Sequence, residues 1–268
     1  MKEPIFQGMD LVKTFGETKV LQGINLELYG GDFTVVMGSS GSGKSTLLHI
    51  LSGMDRSGGG QLFYYNGKQR QRETLKKRTG HSDGEMIDIA HASERELTDL
   101  RAEAFGFVFQ RTYLVSSLTL EENIRMAGMV GGSMTEKEIA GKTEELIRQM
   151  RLEKAKDRLP AQVSGGEAQR AAVARAVITR PTMLFADEPT GALNRANTEE
   201  VLNLLTTLHT GGQTILMVTH DREAALRGNR ILYLEDGVIV GELELAPYQG
   251  KDMGRERKLA AWLEEMHW

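Results

Sequence analysis

Nine consecutive residues, Gly38-Ser39-Ser40-Gly41-Ser42-Gly43-Lys44-Ser45-Thr46, fill every fixed position of the pattern G-x-x-x-x-G-K-[ST]. Glycines at that spacing let the backbone curl until successive N–H groups converge, and a helix starting there adds its positive end. An ammonium at Lys44 suits the β- and γ-phosphates of a nucleotide, and a hydroxyl at Ser45 suits its Mg²⁺. The flanks agree. Phe33–Met37 is an apolar run that reads as a buried strand, and Leu47–Leu51 reads as a helix with an apolar face. Strand, loop and helix in register point to a nucleoside triphosphate site.

Such a loop needs an acidic partner at the end of another strand. Met183-Leu184-Phe185-Ala186-Asp187-Glu188 supplies an apolar run closed by two carboxylates. Asp187 is placed to hold the metal's water shell, and Glu188 to polarise an attacking water. Thr214–Val218 reads as a further strand, delivering His220 to the same edge as Asp187, where it suits a γ-phosphate contact. Ser164-Gly165-Gly166-Glu167 opens a helix of small and apolar residues and forms a second anion site. One nucleotide has no use for two γ-phosphate sites in one chain, unless the second serves the nucleotide of another subunit. Phe15 sits in a turn, where it either stacks on a purine or folds back onto its sheet.

The elements that must position these groups alternate. Ile5-Phe6, Leu11-Val12, Val20-Leu21 and Ile24–Leu28 read as strands of an antiparallel sheet, with breaks at 15–17 and 30–32. Gln61–Tyr65 is another strand, followed by the hairpin signal Asn66-Gly67. From Lys68 to Asp99 a basic block precedes an acidic one, a solvated excursion with a helical stretch near 93–97. Phe105–Phe109 is a strand ending on Gln110. Residues 120–158 are helical, with a capping box at Thr135–Glu138; helices over 167–179 and 198–209 then alternate with the strands at 183–186 and 214–218. A hairpin turns at Glu235-Asp236-Gly237, and Gly254–Trp268 forms a terminal helix.

Composition narrows the classes. Lys and Arg number 33 against 37 Asp and Glu, so no whole-chain footprint for nucleic acid exists. Cysteine is absent, which excludes disulfides, zinc-thiolate sites and iron–sulfur clusters. Met1–Pro4 has no apolar leader, and no run approaches the roughly 18 apolar residues of a membrane span. The expectation is a soluble chain whose membrane role comes through a partner.

The phosphate loop (P-loop) at 38–46, Gln110, the signature string Val163-Ser164-Gly165-Gly166-Glu167-Ala168-Gln169-Arg170, Asp187-Glu188, Gly191-Ala192-Leu193-Asn194 and His220 occur in one order that resembles the ATP-binding-cassette (ABC) ATPases over residues 5–240. The resemblance implies an α/β fold: a P-loop NTPase (RecA-like) core with an N-terminal antiparallel β-subdomain and an inserted α-helical subdomain. It implies an ATPase domain over 1–245, divided near 110 and 165, and a helical extension over 246–268. It further implies a head-to-tail homodimer closing on two ATP molecules with Mg²⁺. Phe15 becomes the adenine-stacking aromatic, residues 38–46 the phosphate loop, and Ser45, Gln110 and Asp187 the metal set. Ser164, Gly165, Gly166 and Glu167 then act in trans, with Glu188 the general base, His220 the switch histidine and Lys44 the charge stabiliser.

The strings Phe107-Val108-Phe109-Gln110 and Val218-Thr219-His220-Asp221 look closest to the branch serving lipoprotein release, macrolide export and antimicrobial-peptide resistance. That implies a subunit peripheral on the inner face of the membrane, driving a separate permease that exports or extracts a peptide, lipid-linked or hydrophobic substrate. A non-transporting ATPase passing force through a permease-like partner is the alternative, and no nucleic acid is expected. Glu167 stands where glutamine is common, and Asn194 where an aspartate is usual.

Overall fold

The computed structural model describes residues 4–65, 86–132 and 134–268. The Asn66-Gly67 turn and the basic part of the polar stretch lie outside the described residues. The chain divides into two units, one of residues 4–65, 86–97 and 214–268 and one of residues 98–213.

The first unit is built around β3 (Phe33–Met37), whose five side chains are all buried. A strand with no polar alternation must be covered on both faces, which is the pattern of parallel sheets. Strand β3 lies parallel to both β8 (Thr214–Val218) and β9 (Arg230–Glu235). Strand β10 (Val238–Glu244) returns antiparallel to β9 through Asp236 and Gly237, both at positive φ, so the expected hairpin is present. A separate antiparallel sheet has the order β2-β1-β4-β5, from β1 (Pro4–Phe15), β2 (Thr18–Tyr29), β4 (Gly59–Tyr65) and β5 (Met86–Asp88). The short strands expected from residue 5 to residue 28 are two long ones. Register shifts on both sides of Leu11, and Asp10 at φ 50, carry β1 past its irregular hydrophobic pattern without ending it.

Helix α1 (Lys44–Leu51) follows the glycine-rich loop, and α2 (Glu94–Glu103) leads from the first unit into the second. The acidic end of the polar stretch is therefore ordered: Leu97 and Leu100 are buried on α2.

In the second unit, β6 (Phe105–Phe109) pairs parallel with β7 (Met183–Asp187). Helices α3 (Leu120–Gly131), α4 (Glu136–Gln149) and α6 (Arg195–Thr210) pack around α5 (Gly165–Val177). Alanines 171, 172, 174 and 176 on α5 are buried, and their small side chains let neighbouring helices approach closely. Capping boxes start three of these helices, at Thr119/Glu122, Thr135/Glu138 and Ser164/Glu167.

The chain's final segment forms α7 (Arg222–Ala225) and α8 (Met253–Glu265). Trp262 of α8 meets Tyr233 of β9 edge-on at 6.2 Å. Arg255 is buried and donates from Nε to the Leu226 carbonyl at 2.7 Å and from its other nitrogens to those of Ala246 and Gly228. Among the described residues no helix is long and apolar enough to cross a membrane.

Candidate functional site

Parallel pairing sets which residues leave the strands together. Val36 of β3 faces Val218 of β8, and two residues later the chains reach Gly38 and His220. Phe109 of β6 faces Asp187 of β7, so Gln110 and Glu188 emerge side by side. Four residues chosen for their chemistry thus form two pairs at strand ends, one in each unit.

In the first unit the loop over 38–43 wraps tightly. Gly38 has φ +151, and a methyl group there would lie 2.0 Å from the Leu234 carbonyl oxygen, so glycine is required by both torsion and space. Lys44 is buried, its Nζ donating to the carbonyls of Gly38 at 2.9 Å and Ser39 at 2.7 Å. The ammonium is thereby held inside the curl of the loop. Ser42 is also buried, and its hydroxyl has no hydrogen-bond partner among the described residues. An unpaired buried hydroxyl is costly, and in a phosphate-shaped loop an anionic oxygen would satisfy it. Ser39, Ser40 and Gly41 are exposed at the rim, while Gly43 caps α1 and Ser45 and Thr46 lie half-buried in its first turn.

Phe15 ends β1 with half its surface exposed, and Lys13 Nζ stands 4.9 Å from its ring centre. Lys13 is itself fixed by Asp55 at 2.6 Å and the Arg56 carbonyl at 2.7 Å. His220 is exposed at the end of β8. Thr219 before it donates from its N–H to Val36, and Asp221 after it caps α7 by accepting from the Ala224 N–H at 2.8 Å. Arg222 on that helix stacks over Trp268 at 4.7 Å, so the chain's last residue braces the histidine's segment.

In the second unit Glu188 adopts a left-handed backbone with φ 45. For a glutamate this costs about 1–2 kcal/mol, and such outliers gather where a side chain must be aimed. Gln110 is exposed and its side chain lies against Gly191. Ser164 is the N-cap of α5: its hydroxyl accepts from the Glu167 N–H at 3.2 Å, and Glu167 accepts from the Ser164 N–H at 2.8 Å. Those donors hold the Glu167 carboxyl below its usual range, the backbone N–H of Ser164 first and its hydroxyl second. Gly166 is buried, and a methyl group there would meet Asn197 Oδ1 at 2.3 Å. Asn194 caps α6 by accepting from the Asn197 N–H at 3.0 Å, a task its amide oxygen performs without an aspartate's charge.

Two residues that the sequence did not single out hold the segment around Gln110. Gln169, buried on α5, donates to the Phe109 carbonyl at 2.9 Å. Arg175, two turns further along α5, donates to the carbonyls of Thr112 at 2.7 Å and Tyr113 at 2.6 Å. Tyr113 stands edge-on to Phe109 at 5.5 Å. Neither position stands out in the sequence, because α5 also carries Glu167 and Arg170 and the partners of Gln169 and Arg175 lie about 60 residues away.

A family model described as "ABC transporter" matches residues 21–191. The lipoprotein-releasing system ATP-binding protein LolD of Aquifex aeolicus is 38% identical over 89% of this chain and 97% of its own length. The macrolide export ATP-binding/permease protein MacB of Pasteurella multocida is 34% identical over the full chain, which spans 38% of that protein's length. Among solved structures, a dimeric post-hydrolysis state of the ATP-binding cassette MJ0796 bound to ADP and Pi aligns with TM-score 0.75 at 32% identity. It covers 91% of this chain and all of that one. On these matches the chain belongs to the ABC transporter family of ATP-binding-cassette ATPases.

Proposed function

We propose that this chain binds and hydrolyses ATP as one half of a head-to-tail pair, and that the pair drives a separate membrane permease. The observation that carries the reading is the conjunction of a buried Lys44 and an unpaired Ser42 hydroxyl inside the phosphate loop. An anionic oxygen would satisfy the Ser42 hydroxyl, and the Lys44 ammonium, held by the Gly38 and Ser39 carbonyls, would add its charge.

In this reading Phe15 stacks on adenine. The N–H groups of 38–46 wrap the phosphates, and Lys44 meets the β- and γ-oxygens. Ser45, Gln110 and Asp187 would be the residues to hold Mg²⁺ through oxygen, and the ion would neutralise charge on the phosphates. Glu188 orients a water for in-line attack and takes its proton, while His220 donates to the γ-phosphate. Ser164 and Gly166, with the start of α5, stabilise that phosphate from the second copy, and Gly165 and Glu167 shape the turn. Gln169 and Arg175 join the segment around Gln110 to the same helix, so a partner pressing on 111–113 acts on the signature directly.

The names of the relatives, lipoprotein release and macrolide export, favour export or extraction of a lipid-linked, peptide or hydrophobic cargo. The chain then works at the inner face of the membrane, through its permease. The test is twofold. Purified wild-type chain should release phosphate from Mg·ATP, and Lys44→Ala should lose nucleotide binding. The chain should also copurify with a permease from detergent-solubilised membranes; copurification with nucleic acid instead would overturn the reading.

A further inference from the structure

A cation stands over the half-exposed ring of Phe15, with Lys13 Nζ 4.9 Å from its centre. An aromatic left half in solvent at a strand end samples several rotamers unless something fixes it. Ordering the ring only when a ligand arrives would cost affinity. Lys13 is itself fixed: two of the three N–H groups of its ammonium go to Asp55 Oδ1 at 2.6 Å and to the Arg56 carbonyl at 2.7 Å. The lysine side chain is only 14% exposed, so this is no loose surface pair. Burial alone would raise the Asp55 carboxyl pKa; Lys13 and the Arg56 N–H, which donates at 2.7 Å, outweigh it and hold the group below its usual value. Arg56 carries the bracing outward, donating to the Ala92 carbonyl and to Glu94, each at 2.8 Å.

This assembly adjoins the phosphate loop. Lys13 faces Leu21 across β1 and β2, and Leu21 Cδ2 lies 2.9 Å from where a methyl group on Gly43 would stand. The Asp55 N–H donates to the His49 carbonyl of α1, the helix that the loop opens, at 3.1 Å. An ammonium neutralised by a carboxylate at 2.6 Å is a poor counterion for a phosphate. It still polarises the ring beside it.

We infer that Lys13, locked by Asp55, is a positioning residue that sets the Phe15 ring in one orientation for the nucleobase before the nucleotide arrives. The inference rests on the reading of Phe15 as the base-stacking aromatic. With the ammonium over one face, the purine takes the other. The cation draws electron density from the ring, which favours stacking of an electron-rich base.

Calorimetric titration of the full chain with Mg·ADP, which binds without turnover, tests the proposal through a double-mutant cycle. Phe15→Ala removes the stacking ring. Lys13→Met/Asp55→Asn removes both charges, keeps an unbranched side chain at 13 and leaves no unpaired carboxylate. The charge-free pair should weaken ADP binding about fivefold, and should have no further effect once residue 15 is alanine. Lys13→Arg, which keeps a cation, should recover part of the affinity. An equal loss in both backgrounds overturns the proposal, marking a general support of the fold or a direct contact with the nucleotide. Unchanged affinity in the charge-free pair with Phe15 present overturns it too, provided Phe15→Ala weakens binding. A Phe15→Ala protein that binds ADP like wild type would instead overturn the stacking reading itself, and the proposal with it.

Discussion

Arg175 donates to the carbonyl of Tyr113 at 2.6 Å, tying the middle of the signature helix to the segment that follows Gln110. The same guanidinium reaches Thr112, and burial pulls its pKa below the ordinary arginine value. Its two carbonyl partners compensate that desolvation.

Replacement of Arg175 by alanine is therefore expected to cost about 1–3 kcal/mol and to free residues 111–114. Hydrogen exchange at those amides should accelerate while exchange in α5 stays slow. Arg175→Lys should recover part of the protection, because one ammonium cannot bridge two carbonyls in the geometry of the guanidinium fork. Equal exchange in all three proteins would show that the clamp holds nothing.

The capping box at Ser164 and Glu167 gives a pH-dependent contribution whose sign is fixed. The Glu167 carboxyl is held below its usual pKa by the Ser164 N–H and hydroxyl, so folding favours the ionised form. The resulting stabilisation is complete above the unfolded pKa, about 4.3, and disappears as pH falls through the lower folded value. Glu167→Gln keeps a box-competent side chain and cannot titrate. Denaturant midpoints compared from pH 7 to pH 3 should show wild type losing stability relative to the glutamine variant as the pH drops. A constant difference across that range would contradict the assignment.

Arg255 anchors α8 through three backbone carbonyls and lies against Tyr248. Arg255→Ala leaves those acceptors without their donor and should cost at least about 2 kcal/mol. Both tryptophans of the chain, Trp262 and Trp268, lie in this terminal segment, so their fluorescence reports its undocking. A red-shifted emission with unchanged far-ultraviolet helix content is expected. Loss of the Arg222–Trp268 stack should accompany it and loosen the segment next to His220.

What could be read from the sequence followed from local rules. The phosphate loop, the strand-end acids and the Asp236-Gly237 hairpin each carry their geometry within a few residues, in glycine spacing, apolar runs and turn chemistry. The length of β1 did not, because Asp10 and the shifts beside Leu11 break the alternation that marks a strand, while pairing with β2 and β4 overrides the break. The boxes at Thr119/Glu122 and Ser164/Glu167 were legible as S/T-x-x-E; the second was read for its chemistry alone. Gln169 and Arg175 were out of reach for another reason: their partners are backbone carbonyls about 60 residues away, and such contacts leave no mark in local pattern. The left-handed backbone of Glu188 is likewise invisible in its residue type.

Sedimentation and turnover of the Glu188→Gln variant test the central claim most directly. If Glu188 activates the attacking water while the loop at Lys44 and the signature of a second copy hold the nucleotide, the variant keeps ATP and accumulates as an ATP-dependent dimer. Its phosphate release should fall by at least about 100-fold, the usual worth of a general base. Turnover within twofold of wild type, with no dimer formed on adding Mg·ATP, would contradict the account.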